Sequence, residues 1–383
     1  MRNDVGVSLR RMSTMPEIAQ RPKALLHDHL DGGLRPSTIL DIADDIGHEL
    51  PSTDETQLAD WFVRGANTLD IHQYLATFEH TIAVMQSADH LHRVAREAVV
   101  DLADDRVAYA EVRFAPENHV HNGLSLDDVM EAVQDGFRAG MSAVSANDST
   151  GATSNTGAAN KNTAAPIVIN TIVSAMRQAD HSTEIAQLTV DWQARDSRVV
   201  AFDLAGPETG FPPTAHVEAL DIARRNHLPI TLHASEPPGL ELISQALATG
   251  ADRIGHGIRL YDDITANESG ELVLGPLAQH ILDQQVHLEM APSCHVHVGA
   301  VPDISAHPVM KWHRAGFNVG VNTDNRLMSN VTVTSEMGQL VEHFDMTLAE
   351  MEALTVAAVH AGFGSWTERQ HLIADVIRPG YAS

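Results

Sequence analysis

The 383 residues are 43% hydrophobic and carry 51 acidic against 25 basic side chains, a formal charge of −26. So negative a chain repels phosphate backbones and anionic lipid headgroups, which argues against nucleic acid or a membrane surface as partner. One cysteine, Cys294, excludes an intrachain disulfide and fits a reducing, cytoplasmic setting, and no apolar run approaches the ~18 residues of a membrane span.

Residues 1–20 carry positive charges but no apolar h-region, so they are expected to be a flexible leader and not a secretory signal. From 21 to 383 the chain reads as one domain. Short, β-branched, near-continuously apolar runs at 24–29, 107–114, 167–172, 198–204, 229–233, 253–256, 286–291 and 318–322 predict eight strands covered on both faces. Helical patterns separate them. RPSTILDIADDIG sets Pro36 in a first turn and a glycine at the end. LDIHQYLATFEHTIAVMQ spaces Ile71, Leu75, Phe78 and Ile82 as a helix does. TLAEMEALTVAAVHAGF opens on a capping box, Thr347 with Glu350. Eight such alternations predict an α/β fold, a (β/α)8 TIM barrel with additional helices. The small, polar, aperiodic stretch 142–166 is expected to be a low-complexity surface insertion.

The first strand ends HDH. Residues i and i+2 share one face of a strand, so His27 and His29 project together. Imidazoles suit zinc and related divalent ions, although two histidines bonded to backbone would read the same way. Other strand ends repeat the theme. The fifth finishes TLHASE, with His233 and Glu236; the sixth RIGHG, with His256; the eighth VNTD, with Asp324. In this barrel, active sites are built at the carboxyl ends of several strands. A metal site is therefore expected there. Taken singly, Glu236 also reads as an exposed loop acid, His256 as a packed rim histidine and Asp324 as a helix N-cap.

HDHLDGGLRP, AEVRFAPE, FDLAGPETG, TLHASE, RIGHG, APSCHVHVGAV and VNTDNRL, in that order, resemble the adenosine deaminase family of the metal-dependent amidohydrolases. The resemblance covers the chain from about residue 20 onward. It implies that His27, His29, His233 and Asp324 hold one zinc ion with a water. It implies a proton donor at Glu236 and a histidine beside that water at His256, with Asp324 shared between metal and catalysis. It implies purine and ribose contacts from His29, Asp31, Gly206 and the residue after the ligand aspartate. It also implies an apolar gate from Ile71, Tyr74, Leu75 and Phe78, a stripe that otherwise reads as ordinary core. Zinc acidifies bound water to a pKa of about 7, and a protonated Glu236 would supply the proton that the purine N1 needs as C6 is attacked.

The implied reaction is hydrolytic deamination of adenosine and 2′-deoxyadenosine, a step of purine salvage. A deaminase of adenine or of a modified adenosine stays open, as does a non-catalytic nucleoside-binding protein. There are departures from the family pattern. Asn325 stands where many relatives carry a second aspartate, and its amide donates to a purine N7 without needing a proton. Pro207 replaces an acid after DLAG, with Glu208 following. Cys294, His295 and His297 raise the question of a second metal site, for which an ordinary loop is the simpler reading. Arg113 is expected to pair with neighbouring acids and not to touch substrate.

Overall fold

The computed structural model describes residues 14–68, 77–150 and 167–382. Its barrel strands are β1 (Lys23–His29), β2 (Val107–Phe114), β3 (Val168–Met176), β4 (Val199–Ala205), β5 (Thr231–Ala234), β6 (Arg253–His256), β7 (His287–Met290) and β8 (Val319–Val321). They form two four-stranded sheets, β1 to β4 and β5 to β8, in which all pairings are parallel. β2 and β4 are buried at every residue, as expected where side chains pack inside the ring and helices cover the outside.

The sheets meet at both edges, which makes the architecture a (β/α)8 barrel. At one seam Phe202 bridges Ile230, with Phe202 N donating to Pro229 O at 3.0 Å. At the other Asp28 bridges Asp324. There His29 N donates to Asp324 O at 2.8 Å, and Asp324 N to His27 O at 3.0 Å. A side chain extends this second seam. Asn322 Oδ1 accepts from the backbone N–H of Leu26 (2.9 Å) and His27 (3.1 Å), doing the work of a ladder carbonyl.

Local signals behave as their chemistry requires. The helix Pro36–Ile46 starts at its proline and ends on Gly47 at φ +70°. The helix Leu348–Ala361 carries the capping box: Glu350 N donates to Thr347 Oγ1, and Thr347 N to Glu350 Oε2. Beneath the ring, Gly362, Phe363 and Gly364 close the amino-terminal end. A Cβ on either glycine would lie within 2.8 Å of Tyr109 Oη. Phe363 then reaches the interior, 3.8 Å from ring centroid to the Arg253 guanidinium, while its N–H donates to Glu111.

Three expectations about boundaries need correction. Met15–Ala19, inside the expected leader, is a short helix whose Ile18 is buried in the main core. The helix Leu126–Thr150 runs through the first nine residues of the expected insertion, where Val144 still packs against the main core; residues 151–166 lie outside the described residues. β3 extends to Met176, four residues beyond its apolar run, since its parallel ladder with β4 continues through Ser174, Ala175 and Met176 opposite Asp203, Leu204 and Ala205. An antiparallel hairpin, Ile264–Ala266 with Leu272–Leu274, was not expected. Among the described residues no helix is long and apolar enough to cross a membrane.

Candidate metal centre and pocket

The site rests on a charged layer inside the barrel. Glu111 and Arg113 (β2), Asp203 (β4), Arg253 (β6) and Glu289 (β7) are all buried. Arg253 donates to Glu111 and Glu289 at 2.7 Å each. Arg113 donates to Glu289 (2.7 Å), Asp203 (3.4 Å) and the carbonyl of Leu26 (2.8 Å). Burial alone would neutralise these acids. Against it, Arg113 and Arg253 hold Glu289 well below the usual carboxylate range, and Arg113 with the hydrogen bond from His233 does the same for Asp203. Removing either arginine would leave an uncompensated buried charge, a loss of about 3–5 kcal/mol.

Two histidines stand on this layer. His27 Nδ1 lies 2.9 Å from Glu289 Oε2, and His233 Nδ1 lies 3.1 Å from Asp203 Oδ1. A carboxylate only accepts, so each Nδ1 carries the hydrogen and each Nε2 presents a bare lone pair. Those lone pairs converge. The ligand atoms of His27, His29 and His233 all lie within 4.8 Å of one another. His29 Nε2 is 3.1 Å from His233 Nε2. Asp324 Oδ1 is 3.3 Å from His27 Nε2 and 3.4 Å from His29 Nε2. His27 Nε2 is buried and makes no hydrogen bond. Burial, reinforced by the neighbouring cationic groups, pushes the His27 and His29 pKa values well below the ordinary histidine value, which keeps both rings neutral. Three imidazoles and one carboxylate aimed at a common point are a donor set suited to a divalent ion such as zinc.

The backbone at this rim is turned sharply. Ser235, His256 and Asp324 have φ of +61°, +61° and +56°, the left-handed region that non-glycine residues rarely adopt and that collects at functional sites. Both backbone groups of Asp324 bond β1, so the closing seam also sets its carboxylate beside His27 and His29.

Glu236, two residues beyond β5, faces the cluster. Glu208 holds the preceding turn: its carboxylate accepts from Ser235 N (2.6 Å) and Glu236 N (3.1 Å). Pro207 thus leaves the loop with a buried acid one residue later, Glu208. Burial, with Asp324 and Glu208 adding repulsion, raises the Glu236 pKa so that its carboxyl holds a proton at neutral pH. Cys294 Sγ is 3.4 Å from Glu236 Oε1, and His256 Nε2 is 3.9 Å from it.

Asp31, in the loop after β1, is buried with one oxygen making no hydrogen bond. Burial, then Asp28 and Asp324, pushes its carboxyl up to about 7. Gly206 follows β4 at φ +88°, and a Cβ there would meet Gln178 Oε1 at 2.6 Å. Asn325 is buried against Gly32, whose own Cβ would sit 2.0 Å from the amide oxygen. Phe78 opens the helix Phe78–Ala83 and is half-buried against the core; Ile71, Tyr74 and Leu75 lie outside the described residues.

Cys294, His295 and His297 are not in a loop, as the simpler reading held. They form the short helix Pro292–His297. Helical spacing turns His295 and His297 to different sides: His295 toward His256, His297 toward Ser329. Sequence reasoning missed Asp203, Glu289, Arg253, Glu111 and His307. Of these, Glu111 shares with Arg113 the i, i+2 face of β2 that points inward, a signal available in EVRF.

Converging imidazoles from β1 and β5, with an aspartate after β8, define a metal-dependent hydrolase of the amidohydrolase kind. The chain belongs to the adenosine deaminase family: the family model described as adenosine deaminase matches residues 22–379. It is 48% identical to an adenosine deaminase of Mycobacteroides abscessus over 367 residues, which cover 95% of this chain and 96% of that one. It is 46% identical to the adenosine deaminase of Mycolicibacterium gilvum, over 96% and 98% of the two chains. Among solved structures, an adenine deaminase from Arthrobacter aurescens superposes with a TM-score of 0.76 at 23% identity, over 95% of this chain and 100% of that one. A zinc-bound amidohydrolase from Burkholderia ambifaria gives 0.78 at 20%, over 99% and 95%. These two share the fold.

Proposed function

We propose that the chain hydrolyses adenosine and 2′-deoxyadenosine to inosine and 2′-deoxyinosine plus ammonia, using one zinc ion held by His27, His29, His233 and Asp324. The convergence of three imidazole nitrogens and a carboxylate beside a partly buried Glu236, whose raised pKa favours the protonated carboxyl, carries this reading. When bound, the ion supplies a water acidic enough to act as a nucleophile at neutral pH. The chain's own residues do the rest. Glu236 gives its proton to the purine N1 as oxygen bonds to C6. The Asp324 carboxylate takes a proton from the attacking water and passes it to the amino group. The C6–N bond breaks, ammonia leaves, and the C6 hydroxyl returns a proton to Glu236 as it becomes a carbonyl. Asp31 would meet the sugar and Gly206 the base. Asn325 would donate to N7, and Phe78 would cover the bound nucleoside; Ile71, Tyr74 and Leu75, read as the rest of that apolar gate, lie outside the described residues.

The test is an absorbance assay of purified protein on adenosine, adenine and AMP in parallel, before and after chelation. Adenosine should be turned over, chelation should stop it and zinc should restore it. Turnover of adenine without adenosine would replace the substrate assignment.

A further inference from the structure

Behind His256 lies a row of buried groups that the reaction above does not use. His256 Nδ1 is 3.1 Å from His295 Nε2, and His295 Nδ1 is 2.9 Å from His307 Nε2. The row ends on a backbone amide: Val309 N–H donates to His307 Nδ1 at 3.2 Å. All three rings are at most 2% exposed. The rings of His295 and His307 are within 5° of parallel. Burial keeps His256 and His295 neutral and pushes His307 down to about 3.

A neutral imidazole has one donor nitrogen and one acceptor. A backbone N–H can only donate. His307 Nδ1 is therefore the acceptor, and its hydrogen sits on Nε2. That hydrogen makes His295 Nδ1 an acceptor and puts the His295 hydrogen on Nε2. His256 Nδ1 must accept in turn, so its hydrogen sits on Nε2. The reversed arrangement would point the His307 Nδ1–H at the Val309 N–H.

We propose that His295 and His307 are positioning residues that lock His256 in the Nε2–H form, so that it donates a hydrogen bond to the oxygen attacking C6 and cannot remove a proton from it. Proton removal then falls to Asp324 alone. This rests on the reading that His256 faces the nucleophilic water, and it sharpens that reading by choosing donor over base.

The tautomer can be measured without turnover. Holoprotein labelled with 15N-histidine, with signals assigned through His256→Gln, His295→Asn and His307→Gln, should show a pyridine-like Nδ1 and a pyrrole-like Nε2 for His256, His295 and His307. His27 and His233 should show the opposite pattern. A pyrrole-like Nδ1 on His256 overturns the proposal. Kinetics supply the second arm. His295→Phe keeps a ring but no nitrogen, and should lower kcat by about 10–100-fold, with KM changed less than about threefold and the His256 tautomers mixed. His295→Asn, whose amide N–H can still donate, should recover most of kcat. Unchanged kcat and unchanged tautomer in His295→Phe would also overturn it. Full activity in His256→Gln would instead remove the role of His256 at the nucleophile, whatever the tautomer proves to be.

Discussion

Two kinds of histidine share this pocket and differ in what stands behind them. His27 and His233 each turn Nδ1 to a buried carboxylate, Glu289 or Asp203, and leave Nε2 bare. His256 turns Nδ1 to another imidazole, in a row that ends on the Val309 amide. One side-chain type thus yields two opposite faces toward the same point: lone pairs from the first kind, an N–H from the second. The ring nitrogen facing the reaction is chosen by its neighbour on the far side.

The comparison can be broken hardest at Glu236, which lies 3.9 Å from His256 Nε2. Glu236→Gln keeps shape but loses the transferable proton; turnover should fall by about 10³-fold or more, with zinc content near one per chain by elemental analysis. Full activity would sink the proton-donor assignment. Next come the carboxylates. Glu289→Gln and Asp203→Asn should each weaken zinc binding by about 10–100-fold in a chelator competition, since an amide lets the ring turn or change tautomer. Neither change should disturb the His256 signals, and parallel loss there would mean the two kinds are not separately set.

The pH profile gives a smaller, graded effect. The Glu236 pKa is raised by burial and by Asp324 and Glu208. Because the protonated form is the active one, kcat/KM should stay high below that raised value and fall as pH climbs through it. An activity that instead rises with pH across the alkaline range would contradict the assignment. The mildest change is Asn325→Asp. It should stay within about tenfold of the parent at pH 6, and lose activity more steeply with rising pH, as a donor that must be protonated replaces one that need not be.

Much of the pocket was legible because its chemistry sits at strand ends. HDH, TLHASE, RIGHG and VNTD each finish an apolar run on a polar group, and the barrel gathers such ends onto one rim. The supporting groups were hidden for a physical reason. Asp203 and Glu289 interrupt strands buried on both faces, so no alternation says which way they point. Their partners lie across the ring, as with Arg113 to Glu289, where sequence spacing carries no information. His307 falls between a short 3₁₀ turn and the helix Val309–Arg314, and becomes meaningful only once the helix Pro292–His297 sets His295 beside it. Misplaced boundaries have the same origin: Met15–Ala19 is held by distant partners, with Ile18 buried in the main core and Met15 lying against Gly338 of the helix Val333–Phe344.

Above the two glycines that let Phe363 press against Arg253, the buried layer of Glu111, Arg113, Asp203, Arg253 and Glu289 fills the barrel and makes it a dead end. With its lower mouth stoppered, nucleoside, water and both products share one doorway at the carboxyl rim. Ammonia, released deep beside Glu236, has to leave past the inosine or wait for it, so the order of departure becomes a property of the vessel as much as of the chemistry.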